Sequence, residues 1–402
     1  MGGYAVVLAV AAGVTWAMTP IVRRVAIRIG AVSTPDPRHV HERPTPTLGG
    51  AAMFVGFLAA MVVASRLDQF HEMFSGSSEP LGVLLAAGAI FVVGTLDDIR
   101  DVSPPAKISG QVLAASLLYL MGVTMFFFRV PFADFIVLSP DWAPLVTVIW
   151  VAVMCNAVNL IDGLDGLAAG IVAIAGMALF LYADRLFDAG LLEGSNIGPL
   201  IAIITVGVCL GFLPFNFHPA RIFMGDAGAL LLGVLMASTT IVIGGRIADQ
   251  FSGQTYFFFA PLFIPFLILG VPIVDTVFAV LRRAARRQSF AVADKDHLHH
   301  RLMRLGHGHR RSVVILWAWT VVLSAVVLAP TYAGEGNALV LPGIAAVGLG
   351  LYVLFHPGVR QKRTANGAAA PDPDPAADGP ETTTDAPPDA DVVDLEARRR
   401  GA

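Results

Sequence analysis

The chain has 402 residues, of which 55% are hydrophobic and 14% charged, and its mean hydropathy of +0.70 excludes an ordinary soluble domain. Its formal net charge is −3, and no nucleic-acid partner is expected. Only two cysteines occur, Cys155 and Cys209, both inside apolar segments and without metal-type spacing, which indicates neither a disulfide framework nor a thiolate zinc site. The composition predicts an integral membrane protein.

Eleven apolar segments are each long enough to cross a hydrocarbon core of about 30 Å, which takes about 20 residues. They predict an all-α polytopic membrane fold in the cell membrane. In chain order the segments are residues 3–22, 48–65, 80–96, 108–128, 143–160, 164–183, 197–214, 227–245, 256–281, 312–332 and 338–356.

The positions of lysine and arginine predict the orientation of these segments. The loops after odd-numbered segments, together with the C-terminal tail, hold 23 of the 27 basic residues, which places them in the cytoplasm by the positive-inside rule. Arg23 and Arg24 follow the first apolar run instead of preceding it, so this run is not interpreted as a cleaved signal peptide. The N-terminus is therefore predicted outside and the C-terminus in the cytoplasm.

Residues 357–402 are predicted to form a disordered cytoplasmic tail after a membrane domain of residues 1–356. From about residue 364 the composition shifts to Pro, Ala, Asp and Thr, with nine acidic residues and three arginines. The rest of the chain then carries about +3, mostly on the cytoplasmic side. This charge suits anionic lipids and nucleotides.

Five aspartates from three separate loops are predicted to lie at the cytoplasmic face. Asp97 and Asp98 end the third segment, Asp162 and Asp165 follow the fifth, and Asp226 opens the eighth. Any one of them is explained as a solvated helix end, but five together indicate a functional site, because ionisable groups at membrane depth are costly. Carboxylates that repel one another need a cation or a raised pKa, and an all-oxygen ligand set favours Mg²⁺.

The sequence NLIDGLDGL at 159–167 predicts a turn that faces a ligand. Its polar residues, with the preceding asparagine, recur every third position, so adjacent members share a helix face. Gly163 and Gly166 are expected to loosen the helix there and to let the backbone approach a ligand closely. The series consists of Asn156, Asn159, Asp162 and Asp165.

The longest cytoplasmic loop, residues 282–311, is basic and contains DKDHLHH. Its arginines are interpreted as headgroup contacts, whereas His297, His299 and His300 are candidate donors to phosphate or sugar oxygens. A zinc site at these histidines has little support, because there is no cysteine. The preceding segment, 256–281, holds three prolines and is predicted to kink; Asp275 near its inner end either faces the same cleft or packs in the bundle.

Several motifs together resemble the polyprenyl-phosphate N-acetylhexosamine-1-phosphate transferases, a family that includes WecA, TagO and MraY. The resemblance covers roughly residues 1–330, and the last motif is closer to the WecA and TagO branch. The motifs are HERPTPTLGG at 41–50, TLDDI at 95–99, NAVNLIDGLDGLAAG at 156–170, FNFHPARIFMGDAGALLLG at 215–233 and DKDHLHHRL at 294–302.

This resemblance implies transfer of a sugar 1-phosphate from a UDP-N-acetylhexosamine to polyprenyl phosphate, with release of UMP. It also implies a requirement for Mg²⁺ or Mn²⁺, a multi-spanning helical fold with the site facing the cytoplasm, and often a homodimer. UDP-N-acetylglucosamine is the first expectation for the sugar donor, and the product would start a cell-envelope glycan.

The resemblance also implies roles for single residues. Asp97 and Asp98 match the pair proposed to bind or deprotonate the lipid phosphate, and Asp162 and Asp226 match the metal and diphosphate site, with Asp165 beside them. The positions expected to bind substrate are Asn159, Asp165, Asn216, Phe223, His297, His299 and His300. The segment before PTPTLGG has Arg43 and no lysine, so a basic contact from that loop stays unassigned.

Three other functions stay open at this stage. One is the MraY-type transfer of phospho-MurNAc-pentapeptide, which uses the same chemistry on a larger donor. A second is an ion-coupled secondary transporter, although the acids gather at one face and no internal repeat is found. A third is a scaffold whose acidic tail recruits partners.

Overall fold

The protein is almost entirely helical. The computed structural model describes residues 2–33, 44–100, 102–129, 135–244, 308–333 and 337–355. Within these ranges the helices are α1 (Gly2–Ile29), α2 (Gly49–Ala64), α3 (His71–Ser75), α4 (Glu79–Arg100), α5 (Pro104–Leu120), α6 (Ala143–Ile161), α7 (Leu167–Asp188), α8 (Gly198–Asn216), α9 (Gly225–Gly244), α10 (His309–Ala333) and α11 (Val340–Phe355).

Six of the described helices are long and apolar enough to cross a bilayer: α1, α4, α6, α7, α8 and α9. A seventh crossing results if α2 and the short helical stretch at Asp68–Ser75, which bend by 92° at their junction, count as one span. A polytopic membrane protein is therefore confirmed, whereas eleven crossings and their orientation stay predictions. Segment 256–281 with its kink, and the tail, lie outside the described residues.

The helix ends differ most from the predicted segments in α1 and α5. Helix α1 continues to Ile29, since Arg23 and Arg24 end the apolar stretch without ending the helix. Helix α5 stops at Leu120, earlier than the predicted 108–128, and Gly122 follows with a φ of +97°. The aromatic run after it favours extended backbone, and residues Phe127–Arg129 (β3) pair antiparallel with Phe135–Val137 (β4).

Helix α9 is the central helix of the bundle. Its residues 227–243 are all buried, as expected for a helix that is apolar on every side. Helices α2, α4, α6 and α8 pack around it. Because α9 begins with the FMGDAG motif, its buried position fixes where Asp226 lies.

A second short strand pair holds the start of α2 next to the start of α9. Val32–Ser33 (β1) pairs with Thr45–Pro46 (β2), and the backbone N–H groups of Gly49 and Gly50 donate to the carbonyl oxygens of Phe223 and Met224 at 2.9 and 2.8 Å. The PTPTLGG segment is thus bonded to the chain just before Asp226.

Candidate active site

A cavity of about 200 Å³, called the acidic cavity below, lies at the end of the bundle where α6, α8 and β1 end and α7 and α9 begin. Six of the predicted site residues line it, although they come from two separate motifs of the sequence, 156–170 and 215–233. Its lining residues are Ser33, Thr47, Asn159, Asp162, Leu164, Asp165, Asn216, Phe223, Gly225 and Asp226. Of the other predicted site residues, Asp98 accepts the backbone N–H of Asp226 and Asp97 shares an ion pair to Lys107 with Asp226, but neither lines the cavity. The remaining three, His297, His299 and His300, fall outside the described residues.

The turn between α6 and α7 places Asp162 and Asp165 in the cavity wall. Helix α6 ends at Ile161, Asp162 occupies its C-cap, and Gly166 has the left-handed φ of +77° that favours glycine. The backbone N–H of Gly166 donates to Oδ1 of Asn216 at 3.0 Å, which bonds this turn to the end of α8.

Burial and neighbouring carboxylates both act on the pKa of Asp162. Removal of its carboxylate from water raises its pKa well above the ordinary value, although part of the residue faces the cavity. The neighbouring carboxylates Asp226, Asp98 and Asp165 raise the pKa further, because each disfavours another negative charge. Among the described residues that line the cavity, none is a lysine or an arginine.

Asn216 has a structural role in addition to its place in the cavity wall. It is 2% exposed, and its Nδ2 donates to the carbonyl oxygen of Ile222 at 3.1 Å while its Oδ1 accepts from Gly166. One amide thus connects the turn at Asp162 with the segment that leads to Asp226.

Replacing Asn216 by alanine is expected to destabilise the protein by about 1–3 kcal/mol and to reduce activity, because two backbone groups lose their partner. Asn196 is a matched control at the other end of the bundle, where its amide bonds Gly198 N–H and the Val242 carbonyl. Thermal unfolding should show a loss in both alanine variants, whereas turnover below the unfolding temperature should fall only in Asn216→Ala. Equal turnover in the two would refute the link to the cavity.

Asp98 caps the N-terminus of α9. Its Oδ1 accepts the backbone N–H of Asp226 at 2.8 Å and its Oδ2 accepts that of Ala227 at 3.2 Å. A carboxylate here satisfies two donors that have no partner within the helix and interacts favourably with the helix dipole. Gly225, with a φ of +70°, allows this approach, since a Cβ there would lie 2.5 Å from Asp98 Oδ1 and from Thr47 Oγ1.

Lys107 on α5 is a site residue that the sequence did not reveal. Its Nζ forms ion pairs with Asp97 and, at 2.7 Å, with Oδ2 of Asp226. In the sequence Lys107 is one of the 23 basic residues that indicate topology, yet a signal for a role in the site was present. The chain has only three lysines, and this one follows the Asp97–Asp98 pair by nine residues.

His218 and His309 also contact the site, and the sequence did not indicate either. Oδ2 of Asp165 lies 2.7 Å from His218 Nδ1 and accepts the Ala220 N–H at 3.0 Å, while the Asp165 N–H donates to His309 Nε2 at 3.2 Å. The two imidazole rings stack with centroids 4.1 Å apart. The three side chains are close enough to hold a metal ion. The hydrogen bonds to Oδ2 and from the backbone N–H of Asp165 support the interpretation of the cluster as a clamp on Asp165.

Comparison with known proteins gives a consistent result. Residues 80–244 match Glycosyl transferase family 4. The chain is 35% identical over 371 residues to the decaprenyl-phosphate N-acetylglucosaminephosphotransferase of Mycolicibacterium smegmatis, which covers 90% of this chain and 89% of the relative. It is 38% identical over 314 residues to a probable undecaprenyl-phosphate N-acetylglucosaminyl 1-phosphate transferase of Bacillus subtilis, with 77% and 81% covered.

A second group of relatives is also similar. The chain shares 31% identity over 351 residues with the phospho-N-acetylmuramoyl-pentapeptide-transferase of Desulforudis audaxviator, covering 80% of this chain and 97% of the relative. These matches confirm the resemblance that the motifs indicated. The chain belongs to glycosyl transferase family 4, among the polyprenyl-phosphate N-acetylhexosamine-1-phosphate transferases.

Proposed function

We propose that this protein transfers N-acetylglucosamine 1-phosphate from UDP-N-acetylglucosamine to a polyprenyl phosphate, releasing UMP and forming a polyprenyl-diphospho-sugar. The observation that carries the proposal is the meeting of Asp162, Asp165 and Asp226 in one cavity at the end of a membrane bundle. The names of the decaprenyl- and undecaprenyl-phosphate relatives support the acceptor and the sugar.

The residues of the acidic cavity fit a hard divalent cation, for which we propose Mg²⁺, with Mn²⁺ as a substitute. Asp162 and Asp226 offer carboxylate oxygens, and the Lys107 ammonium on Asp226 marks a place where positive charge is already bound. When bound, the ion supplies charge that offsets the repulsion between acceptor phosphate and donor diphosphate.

Asn159, Asp165, Asn216 and Phe223 are proposed to bind the UDP-sugar, because they line the same cavity. The aromatic ring of Phe223 offers a surface on which the uracil base can stack. We propose that His297, His299 and His300 add donors to the diphosphate or the sugar. In the reaction an acceptor phosphate oxygen bonds to the sugar-linked phosphorus, and UMP leaves with the bridging oxygen.

Asp97 and Asp98 are proposed to position groups instead of removing a proton. A phosphate monoester with a second pKa near 6 is already mostly ionised at neutral pH, so the acceptor needs little help from a base. Both oxygens of Asp98 accept N–H groups of α9, and Asp97 pairs with Lys107 and accepts the Val102 N–H at 2.8 Å. Asp98 then acts through Asp226, and Asp97 through Lys107.

We propose that the cavity faces the cytoplasm, where UDP-sugars are made, and that the protein forms a homodimer. The positive-inside pattern supports this orientation. Arg23 lies at the same end of the bundle, because its Nε donates to the carbonyl oxygen of Arg221 at 2.9 Å.

Purified full-length protein with Mg²⁺, UDP-N-acetylglucosamine and decaprenyl phosphate should release UMP and form a lipid-linked sugar in equal amounts. EDTA should abolish both, and added Mg²⁺ should restore them, because the carboxylates of the cavity then regain their counter-charge. Uptake of the donor into vesicles without UMP release would favour a transporter instead. Turnover of UDP-MurNAc-pentapeptide alone would favour the MraY-type reaction of the more distant relatives.

A further inference from the structure

Lys107 bridges two carboxylates of which one belongs to the acidic cavity and one does not. Its Nζ contacts Asp97 and lies 2.7 Å from Oδ2 of Asp226. The side chain of Asp97 is 9% exposed and accepts the Val102 N–H, whereas that of Asp226 is 22% exposed and lines the cavity. The two ends of the bridge therefore differ in how easily a ligand can reach them.

A divalent cation held by the Asp226 carboxylate would lie close to the Lys107 ammonium, which contacts Oδ2 of the same group. An ammonium and a divalent ion on one carboxylate would lie within a few Å of each other and repel strongly. Lysine has a flexible four-carbon stem and binds as a point charge, so it can leave one partner while it keeps another.

Lys107 also lies at the outer edge of the bundle. Ile108 and Val112 on the same helix are 53% and 40% exposed, and exposed apolar side chains of a membrane helix face lipid. Lys107 is not among the residues that line the acidic cavity. A phosphate that arrives from the bilayer would meet this ammonium on the lipid side of the cavity.

We propose that Lys107 is an exchangeable counter-ion. In the free enzyme it neutralises Asp226; when a divalent cation occupies the cavity, Lys107 leaves Asp226, stays on Asp97 and binds the phosphate of the lipid acceptor. The binding of the acceptor phosphate by Lys107 rests on the proposed function, whereas the competition between Lys107 and the divalent cation for Asp226 does not. The alternative is that Lys107 forms a fixed structural bridge between α4, α5 and α9.

The test is Mn²⁺ binding to the full-length protein in detergent without substrates, measured by electron paramagnetic resonance of free Mn²⁺. Lys107→Gln should bind Mn²⁺ roughly tenfold more tightly than wild type, because the competing charge is gone. Lys107→Arg should bind it a few-fold more weakly, since a guanidinium holds two carboxylates in a fixed fork. Arg100→Gln, an exposed charge at the end of α4, is the control and should stay within about twofold of wild type.

A fixed bridge predicts the opposite order, with wild type and Lys107→Arg binding Mn²⁺ better than Lys107→Gln, because losing the bridge would disturb Asp226. That order, or unchanged affinity in both variants, overturns the proposal. If Lys107→Gln does not fold, Lys107→Arg still decides, because equal or tighter Mn²⁺ binding by it contradicts exchange.

The binding of the acceptor is tested with decaprenyl phosphate and the corresponding alcohol at saturating Mn²⁺ and without the UDP-sugar, the condition in which Lys107 is expected to have left Asp226. Lys107→Gln should weaken binding of the phosphate roughly tenfold and leave binding of the alcohol unchanged. Unchanged phosphate affinity overturns this part of the proposal. Absence of UMP release by wild type with Mg²⁺ and both substrates would instead reject the proposed function and leave the Mn²⁺ result intact.

Discussion

Asp226→Asn is expected to reduce UMP release by roughly 10²–10³-fold, while the protein stays folded. Asparagine keeps the size of the side chain and the backbone N–H that Asp98 accepts, but it removes the negative charge that Lys107 and the proposed cation need. The rate should be measured at saturating substrates over a range of Mg²⁺ concentrations, with thermal unfolding of each variant alongside.

The matched control for this substitution is Asp188→Asn. Asp188 ends α7 and lines a separate cavity at the opposite end of the bundle. Its loss should leave the rate of UMP release within about twofold of wild type, because charges screened over such a distance interact weakly. If Asp226→Asn retained more than a tenth of the wild-type rate, Asp226 would have no essential role.

Gly94→Ala is expected to destabilise the protein by about 1–3 kcal/mol and to lower activity about 10²-fold. A Cβ on Gly94 would lie 2.5 Å from Cα and 2.6 Å from N of Ala227, which are backbone atoms that move only if α4 and α9 separate. Asp98 lies one turn further along the same face of α4, so separation would also break its hydrogen bonds to the N-terminus of α9.

Gly88→Ala in the same helix is the control for Gly94→Ala. Its Cβ would approach no atom closer than 3.9 Å, an ordinary contact, and alanine favours helix over glycine by up to about 1 kcal/mol. Thermal unfolding and UMP release should therefore be unchanged or slightly improved in Gly88→Ala. Equal behaviour of the two variants would show that the α4–α9 contact does not hold the site together.

Most helices could be predicted from the sequence because each is a long apolar run with local end signals. Ten of the eleven predicted segments overlap a described helix, and the remaining one, 256–281, lies outside the described residues. The missed β3–β4 pair and the early end of α5 arise where aromatic residues are apolar enough for a span but favour extended backbone.

The cavity residues could also be predicted in part. The acidic motifs at 159–167 and 223–228 stand out because charge is rare in such an apolar chain, and Asp162, Asp165 and Asp226, predicted from them, line the acidic cavity. Phe223, which the family resemblance implied, lines the same cavity. Their proposed roles in binding metal and substrate still await the variants described above.

The sequence by itself determined that this is a membrane protein and which polar residues are out of place in it, because composition and spacing are local properties. Only the tertiary structure decided how those residues are paired. Lys107 meets Asp226 across 119 positions, Asp98 meets it across 128, and His309 meets Asp165 across 144. No helical or strand period reaches that far, because such pairs depend on which helices pack together. Close packing at Gly94 and Gly225 brings Asp98 within hydrogen-bond distance of the start of α9.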